Sequence, residues 1–115
     1  MSEPVTPVEV RAPEGARRLE IDWSDGVTTA YRHAILRGFC PCAHCQGHHG
    51  PVAWVEGADE LNLELASIEE VGTYALQFGW GDGHATGIYT FRFLRALAEI
   101  GESESAFVRG RSFMR

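Results

Sequence analysis

All three cysteines of the chain and three of its five histidines crowd into one stretch, RGFCPCAHCQGHHGP, from Arg37 to Pro51. Thiolates and imidazoles are the ligands of structural zinc sites, which take all four corners of a tetrahedron from protein. Cys40, Cys42 and Cys45 would supply three ligands from one turn, because Pro41 stiffens the backbone and the short spacings let the side chains converge. The fourth must be a histidine. His44, His48 and His49 lie close by, and His84 lies far along the chain in a second turn. The residues themselves leave these alternatives open.

Other chemistries fit less well. Three reduced thiols without a metal are the plain alternative. A redox dithiol asks for a context that lowers a thiol pKa, such as a strand running into a helix, and the flanks show none. An iron–sulfur cluster usually takes four cysteines, and the chain has three. Asp25 and Asp82 read as turn formers, and Trp23 and Trp80 as packing residues at strand ends. No His-x-Asp or His-x-Glu occurs, so the usual iron facial triad of oxygenases is absent. A glycine-rich phosphate loop is missing too. Without an acid–base pair, nucleophile or cofactor motif, the chain reads as non-catalytic.

The elements that must position the cysteines come as an internal repeat. LEIDWSDGVTTAYRHAILR, from Leu19 to Arg37, and LQFGWGDGHATGIYTFRFLR, from Leu76 to Arg95, both run strand, Trp-x-Asp-Gly, Thr, Tyr, Leu-Arg, with one extra residue in the second. Leu19, Ile21 and Trp23 alternate with Glu20 and Asp22, the period of a strand with one buried face. Asp25-Gly26 and Asp82-Gly83 suit tight hairpin turns. A further strand is expected from Val8 to Arg11, before the turn-forming APEGAR.

Apolar residues from Phe91 to Ile100 predict a helix from about Tyr89, with Gly101 suited to its C-terminal stop. YRHAILRGF predicts a shorter helix leading into the cysteine loop. Strand-like alternation recurs at Leu61, Leu63 and Leu65 and again from Tyr74 to Trp80. SIEEVG between these runs reads as one capped helical turn or a bend. Two hairpin–helix units imply a small α+β domain with a mainly antiparallel sheet and a zinc-stabilised loop.

At 115 residues the chain predicts one domain, and 44% apolar with 23% charged residues is an ordinary globular balance. No apolar run approaches the roughly 20 residues of a membrane span, and MSEPVTPVEVRAPEGARR lacks signal-peptide order. A cytoplasmic protein without a membrane partner is expected. A net charge of −6 argues against nucleic acid. The core is expected at about residues 8–100. The segment from about 102 to 115, ending in the basic FVRGRSFMR, reads as a flexible, solvated tail.

LEIDWSDG, LRGFCPCAHC and VGTYALQFGWGDGHATGIYTFRFLR, in that order, resemble the gamma-butyrobetaine hydroxylase-like N-terminal domain, a family largely of unknown function. The resemblance spans about Val8 to Ile100. In carnitine-synthesis dioxygenases this domain precedes the catalytic barrel and carries a structural zinc on three cysteines and the histidine of the Asp-Gly-His turn. The resemblance thus implies Cys40, Cys42, Cys45 and His84 as ligands. It implies no dioxygenase activity, since the chain ends where the barrel would begin. Similar domains fused to Mrp-type iron–sulfur carrier ATPases suggest an accessory role in iron–sulfur assembly or metal handling. The other expected role is a zinc-stabilised module that binds a protein partner not yet identified.

Overall fold

The computed structural model describes residues 5–42, 46–47, 50–55, 64–81, 83–84, 87–104, 107–108 and 110–114. Strands β1 (Pro7–Arg11), β2 (Arg18–Trp23) and β3 (Thr28–Arg32) form one antiparallel sheet in that order. Helix α1 (His33–Gly38) follows and leads to the cysteine loop. Strand β4 (Val52–Ala53) comes next, and β5 (Leu65–Val71), β6 (Ala75–Trp80) and β7 (Gly87–Thr90) form a second antiparallel sheet. Helix α2 (Phe91–Leu97) runs into a 3₁₀ turn (Ala98–Ile100), and β8 (Ser112–Phe113) pairs with β4. The domain is small, compact and α+β, with two short helices among the described residues.

The alternation in β2 is realised as expected: Leu19, Ile21 and Trp23 are buried, while Glu20 and Asp22 are half-buried. Both halves of the repeat then make the same turn. Trp23 N–H donates to Val27 C=O (2.8 Å) and Gly26 N–H to Trp23 C=O (3.0 Å). In the second half Trp80 N–H donates to His84 C=O (2.9 Å) and Gly83 N–H to Trp80 C=O (3.0 Å). Gly26 and Gly83 take φ of 86° and 89°, a region where a side chain is strained. The extra residue of the second half is absorbed before β7, so the register survives: Tyr31 lies opposite Leu19, and Tyr89 opposite Leu76.

The two halves also clasp each other reciprocally. The buried Tyr31 hydroxyl donates to Leu94 C=O of α2 (2.5 Å), and the buried Tyr89 hydroxyl donates to Leu36 C=O of α1. Leu36 and Leu94 each stand five residues after the tyrosine of their own half. Trp23 meets Phe91 edge-on at 5.9 Å, and Trp80 meets His33 edge-on at 5.4 Å. His33 N–H donates to Arg17 C=O and Phe91 N–H to Tyr74 C=O, again at equivalent positions. Each helix is therefore held by the sheet of the other half. Burying the tyrosine oxygen removes solvent from its charged form, which pushes the Tyr31 phenol up to about 12.

Three sequence expectations are corrected. Helix α2 starts at Phe91, because Tyr89 and Thr90 pair with β6 and the extended Thr90 caps the helix, its side chain accepting from Phe93 N–H at 3.1 Å. SIEEVG is strand, since residues from Ser67 to Val71 pair with Gly79 to Ala75, and pairing along β6 outweighs the local capping pattern. Gly101 follows the end of the helical run at Ile100, as expected, with φ −55° and not in a left-handed turn. Its role is space: a Cβ there would lie 2.0 Å from Ala30 C=O, beside the bond from Arg32 N–H to Gly101 C=O at 2.7 Å. The segment read as a flexible tail is docked instead, with Val108 and Phe113 buried, Phe113 opposite Val52, and Arg111 paired to Glu99 at 3.0 Å. The apolar anchors Val108 and Phe113, set beside the arginines, override the charge pattern there. Leu61 and Leu63 lie outside the described residues.

On the outer face of the first sheet Arg11 joins Asp22 (2.6 Å), Glu9 (2.9 Å) and Glu20 (3.5 Å). The Arg11 bond, followed by one from the Thr28 hydroxyl, pulls the Asp22 carboxyl from its ordinary 3.8 to about 2. A carboxyl depressed in the folded state stabilises the fold above its unfolded pKa and loses that contribution as pH falls towards the folded value. We predict that acid unfolding of Asp22→Asn is less steep than wild type across that window. Identical acid titrations of the two proteins, followed by circular dichroism, would remove Asp22 from the account.

Candidate metal centre

Cys40 sits two residues beyond α1, fully buried, and Cys42 follows half-buried. His84 closes the turn between β6 and β7, held through its own carbonyl by Trp80 N–H. The shared turn puts His84 where the first half has Val27. Folding brings its Nε2 to 3.2 Å from Cys40 Sγ and 3.5 Å from Cys42 Sγ. The three ligand atoms all lie within 4.8 Å of one another.

Those separations fit a tetrahedral ion. Bonds of about 2.3 Å to sulfur and about 2.0 Å to nitrogen place neighbouring ligand atoms roughly 3.5 Å apart. An S–H···N hydrogen bond could account for one short contact. A second contact at the same nitrogen would have to share its single lone pair or proton in a weaker three-centre bond, whereas one metal ion accounts for both. Cys40, Cys42 and His84 thus form a group able to hold a metal. Cys45, His44, His48, His49 and Asp82 lie outside the described residues.

Two residues around the group carried no sequence signal for this role. A Cβ on Gly87 would stand 2.6 Å from Cys40 Sγ, so the bare glycine lets β7 pass against the thiol. The Gln46 side chain bonds Cys40 C=O and both polar groups of Ala53. Counted from Tyr31 and Tyr89, Ala98 and Ile100 stand at the positions of Cys40 and Cys42, but they belong to the 3₁₀ turn that continues α2, whereas the cysteines lie beyond the end of α1.

Fold and cluster together define a small α+β domain with a candidate Cys/His metal centre at the junction of its halves. Residues 10–95 match the family described as gamma-butyrobetaine hydroxylase-like, N-terminal, and the chain belongs to that family. A crystal structure of a DUF971-family protein of unknown function from Acidithiobacillus ferrooxidans is 35% identical, with a TM-score of 0.65 over 81% of this chain and 92% of that one. Two solution NMR structures are 29% and 27% identical, with TM-scores of 0.68 and 0.65. They cover 86% and 84% of this chain, and 73% and 75% of theirs. No curated protein matches. No helix among the described residues is long and apolar enough to cross a membrane.

Proposed function

We propose that the domain holds one zinc ion on Cys40, Cys42, Cys45 and His84 and acts as a non-catalytic module that binds a protein partner. The observation that carries this reading is the convergence of two thiols on one imidazole nitrogen from elements far apart in sequence. The resemblance supplies Cys45 as the fourth ligand. Four protein ligands leave no open position for substrate, which favours a structural ion over a catalytic one.

Elemental analysis of protein purified without a histidine tag should find zinc near one equivalent. Cys42→Ser leaves three ligands and should weaken zinc binding by more than about tenfold. A metal-free protein that is fully folded, or a Cys42→Ser variant with wild-type affinity, would sink the reading. Pull-downs from native extract test the partner role, and turnover of a small molecule that a point mutation abolishes would overturn it. A metal-handling role is favoured by the partial exposure of Cys42 and His84. It predicts iron and visible colour after anaerobic purification, in place of colourless zinc.

A further inference from the structure

Gln46 makes a set of bonds that ties the backbone of the ligand loop to β4. Its side-chain amide donates to Cys40 C=O (2.9 Å) and to Ala53 C=O (3.0 Å), and its oxygen accepts Ala53 N–H (3.0 Å). Both amide hydrogens and the oxygen are used, so the orientation of the group is set by its partners. Gln46 N–H also donates to Cys42 C=O (3.0 Å). One residue therefore holds the carbonyls of both cysteines.

The side chain does for Ala53 what a neighbouring strand would do, exchanging one N–H and one C=O bond with it. On its other side β4 pairs with β8, so the amide ties the ligand loop to an anchored strand. Gly47, the next residue, turns away at φ 72°. A short loop that must hold thiolates close together gains from such a support, because backbone order fixed in advance is not lost on binding.

We propose that Gln46 is a positioning residue for the metal centre: its amide clamps the Cys40–Cys42 backbone onto β4, so that the thiols are preorganised before the ion arrives. The proposal rests on the metal reading above. Partners that orient ligands from outside the coordination sphere commonly contribute about 10- to 100-fold in metal affinity. Gln46 acts on backbone and not on the ligating atoms, so the lower end is expected.

The test uses the full chain and cobalt(II), whose visible absorption reports coordination geometry, with zinc competition for affinity. Gln46→Met keeps length and volume without the hydrogen bonds, and Gln46→Ala removes both. Both variants should bind about tenfold more weakly than wild type, with shifted or broadened cobalt bands, and the Ala53 amide should exchange with solvent at least about tenfold faster. Val52→Ala, a core truncation on the same strand, should lower the melting temperature while leaving the cobalt spectrum unchanged. Wild type that binds neither metal would refute the metal reading itself. Wild type that binds while Gln46→Met matches it in affinity and spectrum would overturn the clamp alone. A Val52→Ala variant losing affinity as much as Gln46→Met would show general destabilisation and overturn it too.

Discussion

His84→Ala is expected to lower zinc occupancy and the melting temperature together. An ion held as proposed would join the cysteine loop after α1 to the turn between β6 and β7, so losing it would disconnect the two halves at that point. A ligand bound by the folded state alone stabilises it by about 4 kcal/mol when present at roughly 1,000 times its Kd. For a domain of this size that corresponds to about 10–20 °C in melting temperature. The closed loop is long, which adds to the effect only logarithmically. His44→Ala, His48→Ala and His49→Ala should leave both quantities near wild type. A zinc-edge anomalous map with the ion on His48 or His49, and His84 turned away, would refute this assignment.

The second large effect is expected at the reciprocal tyrosines, and it should be unequal. Tyr31→Phe removes a donor from Leu94 C=O, which still accepts the Ala98 N–H at the end of α2. Tyr89→Phe removes a donor from Leu36 C=O. The N–H that a continuing helix would direct there belongs to Cys40, and it bonds Arg37 C=O instead (3.3 Å). A buried acceptor left unsatisfied costs about 1–3 kcal/mol, whereas a redundant bond is worth about 1 kcal/mol. Tyr89→Phe should therefore destabilise more than Tyr31→Phe in urea unfolding. The double variant should approach the sum, which is a large fraction of the roughly 5–15 kcal/mol available to a small domain. Equal losses, or a smaller loss at Tyr89, would contradict this difference between the two acceptors, and no loss at either tyrosine would contradict the cross-clasp. Because Leu36 stands at the mouth of the cysteine loop, Tyr89→Phe is also expected to weaken metal binding, which Tyr31→Phe should not.

Sequence order carried the pattern of this architecture further than its contacts. The period-two burial of β2, the Asp-Gly turn at Gly26 and the apolar face of α2 follow from local rules of side-chain direction and permitted dihedral angles, and each is found where those rules place it. The repeat was visible too, down to the extra residue that the loop before β7 absorbs. Local rules misjudged SIEEVG, because a capping pattern is worth less than a ladder of pairs with a strand the local window does not contain. They misjudged the C-terminal segment for the same reason: nothing near Val108 and Phe113 announces the core and the β4 edge that receive them.

By itself the sequence determined which chemistry was possible: thiols and imidazoles in short spacing, hairpins to present them, and no acid–base or cofactor motif beside them. Only the tertiary structure decided which groups meet. Cys40 and His84 come within 3.2 Å because two hairpin–helix units pack reciprocally and present the β6–β7 turn to the end of α1. Gln46 and Gly87 acquire their roles the same way, through the β4 backbone and the Cys40 sulfur that packing sets beside them. Spacing along a chain constrains neighbours within a turn or two, whereas a ligand from a distant turn depends on register and packing throughout the domain.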